Sequence, residues 1–117
     1  MDRSERNDDI QKLSETNYTT WSKEMAARLR KKGLWRLVKG ERSKPDPLET
    51  GYEGWLEDAE KAAGDIYLCL DPQQRVHIEG LEDDPILMWN TLARVHLHKQ
   101  AGTRFNAYSD LFNIVKK

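Results

Sequence analysis

The sequence predicts an all-α fold, a single compact domain of five or six helices. Three observations carry that expectation. Apolar residues recur at spacings of three and four, strand-like alternation is absent, and Gly and Pro cut the chain into helix-length pieces. At 117 residues the chain is long enough for one modest core and too short for two large domains. Four Trp, four Tyr and two Phe are more large anchors than a disordered chain carries.

Residues 1–11 read as a flexible tail and residues 12–117 as the folded unit, with Ile10 and Leu13 the first aliphatic anchors. Thr19 or Thr20 is suited to cap the first helix. Trp21, Met25 and Leu29 follow at i, i+4 and i+8 and form one apolar stripe. Gly33 marks its stop. Leu34, Trp35, Leu37 and Val38 predict one or two further helical turns, closed by Gly40. The breakers Gly40, Pro45, Asp46, Pro47 and Gly51 predict a connecting loop.

A second long helix is expected from Tyr52, with Trp55, Ala59, Ala62, Ile66 and Leu70 on its stripe. Ala62, Ala63 and Gly64 would let another helix approach closely. Asp71-Pro72 predicts a cap and a short helix to about Ile78, and Asp84-Pro85 repeats that start. The following helix should present Ile86, Trp89, Leu92 (or Ala93) and His96, and then break between Lys99 and Gly102. A last helix should carry Phe105, Tyr108, Leu111, Phe112 and Val115. The expected core anchors are therefore Trp21, Met25, Leu29, Trp55, Ile66, Trp89, Leu92, Phe105, Tyr108 and Phe112. Apolar Ile114 and Val115, two residues from the end, predict a longer parent polypeptide.

Composition narrows the function. Cys69 is the single cysteine, so no disulfide forms within the chain and thiolate zinc sites of the usual kind are excluded. That usage suits a reducing compartment. Apolar runs are too short to span a membrane, and the polar opening residues predict no secretory signal. His96 and His98 are two apart and would face different ways on a helix. Acidic groups such as Glu57-Asp58 and Glu82-Asp83-Asp84 sit in polar stretches or at helix starts. No phosphate-binding glycine loop and no nucleophile motif occurs. Catalytic, cofactor and metal residues are accordingly expected to be none, and with them no small-molecule substrate.

Net charge is −1, but its distribution is uneven. Residues 22–44 hold nine basic residues against two acidic ones, whereas residues 45–84 hold twelve acidic against two basic. Four readings are open: mutual neutralisation within the fold, complementing of a helix dipole, complementary faces on neighbouring subunits, and a nucleic-acid patch. Arg28, Arg30, Lys31, Lys32 and Arg36 are the candidate subunit or RNA contacts. Trp35, set between basic residues, is the tryptophan most suited to partial exposure.

The stretch Lys12-Leu13-Ser14-Glu15-Thr16-Asn17-Tyr18-Thr19-Thr20-Trp21 resembles the start of the Gag polyprotein of copia-type (Ty1/copia) LTR retrotransposons. That family shows K-L-x-G-x-N-Y-x-x-W, then a basic helix ending in G-L-W, matched here by Gly33-Leu34-Trp35. The Trp55 helix ending in Ile66-Tyr67-Leu68-Cys69-Leu70 and the W-x-x-L of Trp89 to Leu92 follow in the family's order. Ser14-Glu15 departs from it, since the family often has a glycine there.

The resemblance covers residues 12–115 and implies the N-terminal lobe of a capsid protein, with the C-terminal lobe absent. It further implies a structural protein, not an enzyme. Its partner would be itself, as a homo-oligomer weak in the isolated lobe, with RNA as a second partner and no membrane. Its place would be the cytoplasm of a eukaryotic host, in virus-like particles enclosing element RNA. Two rivals accompany this expectation. One is a helical nucleic-acid-binding module. The other is a domesticated capsid lobe acting as a peptide- or protein-binding adaptor.

Overall fold

The computed structural model describes residues 10–104, with side chains over residues 10–98. Helix α1 spans Tyr18–Lys31, α2 Trp35–Val38, α3 Tyr52–Leu68 and α4 Pro85–Arg104; a 3-10 helix, Pro72–Ile78, lies between α3 and α4. No strand occurs among the described residues, and one isolated bridge pairs Leu13 with Leu70. The fold is all-α. Phe105, Tyr108, Leu111, Phe112 and Val115, with the helix expected for them, lie outside the described residues.

α1 starts at Tyr18, earlier than a Thr19 or Thr20 cap would place it. The reason lies in Asn17. Its carbonyl accepts the Trp21 N–H at 2.8 Å, while its side chain turns back on the incoming segment. Asn17 Oδ1 accepts the Ser14 N–H at 2.8 Å, and Asn17 Nδ2 donates to the Lys12 carbonyl at 2.9 Å. The threonines are thereby left inside the helix.

Both glycine stops work as the sequence suggests. Gly33 has φ 76°; its N–H donates to the Arg30 carbonyl at 3.0 Å, and the Leu34 N–H to Leu29 at 2.8 Å. Gly40 has φ 86° and repeats the pair, with Gly40 to Leu37 at 3.0 Å and Glu41 to Arg36 at 2.9 Å. These are Schellman ends, which need a left-handed residue that glycine adopts without a Cβ clash. The first also brings Leu34 onto Leu29, and both are buried.

The core is built from Leu13, Trp21, Met25, Leu29, Leu34, Val38, Ala62, Ala63, Ile66, Leu70, Ile78, Met88 and Leu92. A smaller cluster joins Leu37, Trp55 and Ala59, with Leu56 and Ile86 packed beside it. Ala62 and Ala63 are buried in contact-forming positions, but Gly64 is exposed with nothing within 4 Å of a Cβ placed there. Only the alanines, then, serve the close approach expected of all three.

α4 differs from expectation in two ways. Its buried side chains are Pro85, Met88, Thr91, Leu92 and His96, while Ile86 and Trp89 are half-buried. Four consecutive apolar residues, Ile86 to Trp89, leave the helix phase to be set by its neighbours. α4 also continues through Lys99–Gly102 to Arg104 without a break. One glycine costs a helix about 1 kcal/mol, which by itself is too little to end one. Asp84 Oδ1 accepts the Leu87 N–H at 3.0 Å, a side-chain cap on the third helical residue. Asp71 makes no such bond; its backbone carbonyl accepts from Gln74 N–H at 2.8 Å, and the chain takes the tighter 3-10 form.

Candidate functional site

The residues resembling a family motif at the start of the fold converge on one backbone atom. The Cys69 carbonyl accepts the Leu13 N–H at 2.8 Å and the Trp21 Nε1–H at 3.0 Å. Asp71 N–H donates in turn to the Leu13 carbonyl at 3.0 Å. Leu13, Asn17 and Trp21 therefore clasp the incoming segment to the end of α3. Burial pushes the Cys69 thiol above its ordinary value, against the opposing pull of the Arg28 charge. A thiol held protonated in this way is a poor nucleophile.

The five basic candidates divide into two groups. Arg28 Nε lies 3.1 Å from both carboxylate oxygens of Asp65, and Lys32 Nζ lies 3.1 Å from Asp65 Oδ2. Both are directed onto Asp65 of α3, Arg28 partly buried and Lys32 still exposed. Arg30, Lys31 and Arg36 are exposed. The Arg30 guanidinium stands 5.3 Å from the Trp35 ring and Lys39 Nζ 5.9 Å from it, so two cations flank one half-buried indole. Arg28, Arg30 and Lys31 also occupy the last turn of α1, where positive charge complements the helix dipole.

Trp35 is the outer end of an aromatic series. It meets Trp89 edge-on at 5.2 Å; Trp89 stacks on Trp21 at 5.6 Å; Trp21 lies 6.2 Å from Tyr18; and Tyr18 stacks on His96 at 5.0 Å. Burial raises the Tyr18 hydroxyl above its ordinary value. His96 Nε2 lies 2.8 Å from Gln74 Oε1, and both side chains are buried. His77 approaches His96 edge-on at 6.4 Å, whereas His98 is exposed. Among the described residues no group of three His, Cys, Asp or Glu side chains converges as a metal site would require. The expected anchors are placed as follows: Trp21, Met25, Leu29, Ile66 and Leu92 are buried in the main core, with Trp89 half-buried at the edge of that core, and Trp55 is buried in the smaller cluster.

The charge asymmetry is partly cancelled inside the fold. Asp65 receives two cations, and Arg42 Nη1 pairs with Asp58 at 2.7 Å. Glu53, Glu57 and Glu60 of α3 remain exposed. Sequence reasoning missed the role of Asp65, although a signal existed. A carboxylate in the last turn of a helix opposes the helix dipole and needs a cation beside it. Asp65→Asn is expected to cost about 1 kcal/mol, because the pairs are partly solvated. The cost should shrink in 1 M salt, as chemical denaturation at two ionic strengths would show.

A second surface feature lies away from the basic face. A cleft of about 670 Å³ opens between the 40–51 loop, α3 and the start of α4. Trp55 forms part of it, with its Nε1–H donating to the Arg42 carbonyl at 3.0 Å.

A family model described as gag-polypeptide of LTR copia-type matches residues 25–117. The matched region takes in the basic end of α1, Gly33-Leu34-Trp35, the Trp55 helix and Trp89 to Leu92; it begins beyond the clasp residues. Neither the curated proteins nor the solved structures include a match.

Proposed function

The chain belongs to the gag-polypeptide family of copia-type LTR elements, and from that premise we propose that it is a shell subunit of a virus-like particle enclosing element RNA. The family is structural rather than enzymatic. The match over residues 25–117 carries the reading. The surface supports it, since exposed cations on α1 and α2 and exposed carboxylates on α3 give one chain two faces of opposite sign. Such faces suit many weak, repeated contacts, and multivalency turns weak contacts into a stable shell.

RNA contact is the second part of the proposal. Arg30 and Lys39 at the Trp35 ring, with exposed Lys31 and Arg36 on the same two helices, supply cations of the kind that hold phosphates, and Lys39 also pairs with Glu41 at 3.0 Å. No described helix is long and apolar enough to cross a membrane. The shell reading implies assembly in the cytoplasm of a eukaryotic host.

The test is expression of the chain within its complete coding frame, followed by sedimentation and nuclease treatment. Sedimenting particles holding nuclease-resistant RNA are expected. Chain left in the supernatant, with all RNA digested, would count against the reading.

A further inference from the structure

The outer face of α3 holds negative charge that the fold does not pair. Glu53, Glu57 and Glu60 fall at i, i+4 and i+7, on the side opposite the buried Trp55, Ala59, Ala62 and Ile66. All three are exposed, and like charges at these spacings repel along a helix. The cations nearby are engaged elsewhere. Arg42 pairs with Asp58 at 2.7 Å, Arg28 and Lys32 pair with Asp65 at 3.1 Å, and Lys44 stands over the Tyr52 and Trp55 rings. Lys32 and Lys61 share a neighbouring groove with Glu60, so Glu53 and Glu57 are the carboxylates left to a partner. Among the described residues no ion pair reaches either of them. A shallow groove of about 330 Å³ runs along the stripe, lined by the three carboxylates, the half-buried Leu56 and Gly54. A Cβ at Gly54 would meet nothing within 4 Å, so packing inside the chain does not call for glycine there.

The matching charge lies on another part of the surface. One residue turns a helix by about 100°, so Arg28 and Arg30 leave α1 on opposite flanks of the buried Leu29. Arg28 turns to Asp65 of α3. Arg30 turns to α2, 5.3 Å from the half-buried Trp35 ring. Arg36 is exposed on the side of α2 away from the buried Leu37 and Val38. No described ion pair reaches Arg30 or Arg36. The body of α1 separates Arg30 from the carboxylates of its own chain, so a partner for it comes from outside. Arginine beside a half-exposed indole is the composition of an interface centre. A guanidinium also forks onto a carboxylate through two parallel hydrogen bonds.

We propose that the Arg30 and Arg36 surface of one copy docks on the α3 groove of the next, its guanidiniums on Glu53 and Glu57. The contact rests on the shell reading and names one joint within it. Donor and acceptor are different surfaces, so the joint is head-to-tail and every copy keeps one open half of each kind. Growth continues until a ring closes, or runs on as a filament.

Sedimentation equilibrium of the nuclease-treated 117-residue chain, from micromolar to millimolar, tests it with two double variants. Glu53→Lys with Glu57→Lys makes both surfaces basic; Arg30→Glu with Arg36→Glu makes both acidic. All four side chains are exposed, so circular dichroism should show the fold intact. Wild type should associate, and less so as salt rises. Either variant alone should bind itself on the order of a hundredfold more weakly, because like charges then meet. An equimolar mixture should regain association, since each variant presents the charge that the other lacks. Glu24→Lys with Glu79→Lys makes the same change of charge at other exposed positions and should associate like wild type. Wild-type association of either double variant alone, a mixture no stronger than its parts, an equal loss in the Glu24 and Glu79 variant, or a monomer at every concentration would overturn the contact. Association seen only when nuclease is left out would overturn it too, and would give the arginine surface to RNA. Nuclease-resistant particles read the shell function separately, so either reading can fail without the other.

Discussion

Trp21→Ala is expected to destabilise the fold by about 4 kcal/mol, the middle of the range for truncating a buried tryptophan. The side chain is 1% exposed. Its ring stacks on Trp89 at 5.6 Å, and its Nε1–H donates to the Cys69 carbonyl at 3.0 Å. Alanine removes all of this at once. It opens a cavity between α1 and α4, ends the aromatic series that reaches the surface at Trp35, and takes one of two donors from the carbonyl that holds Leu13. Domains of this size have only about 5–15 kcal/mol to lose, so the variant should sit near the threshold of folding. Trp21→Phe separates the parts. It keeps most of the ring and loses the hydrogen bond, for about 1–2 kcal/mol. Urea denaturation of the three proteins at equal protein concentration gives both numbers; equal midpoints for wild type and Trp21→Ala would show that the clasp does not hold the core.

That clasp shows where sequence reading stops. Local signals were legible because their partners are near in the chain. Gly33 and Gly40 close Schellman ends onto residues three to five positions back, and Asp84 caps a residue three positions on. The Trp21, Met25 and Leu29 stripe needs only the helix period. The Trp21 indole, by contrast, finds its acceptor 48 residues away. No spacing announces that the Cys69 carbonyl is free to accept. The phase of α4 was hidden for a similar reason. Ile86, Leu87, Met88 and Trp89 are all apolar, and α2, α3 and the 3-10 helix decide which of them turn inward. The candidate site was half legible. Five cations could be counted, but not that Arg28 and Lys32 are held by Asp65 while Arg30 and Arg36 face solvent.

The buried polar pair gives the second large expected effect. Gln74 is 1% and His96 3% exposed, and their contact joins the 3-10 helix to α4. A carboxamide oxygen accepts and never donates, so a 2.8 Å contact to Gln74 Oε1 puts a proton on His96 Nε2. That assignment makes the two partners unequal under mutation. Gln74→Leu fills the space but leaves a buried N–H without its acceptor, at a cost of about 2 kcal/mol. Replacing both partners by apolar groups removes the stranded donor as well. Gln74→Leu combined with His96→Phe, which retains a ring against Tyr18, should recover at least half of that loss, because matched apolar replacements are often close to neutral. The double-mutant cycle, read from denaturation midpoints at neutral pH, should therefore be strongly non-additive. Additive costs would mean that packing alone, and not the hydrogen bond, holds the 3-10 helix against α4.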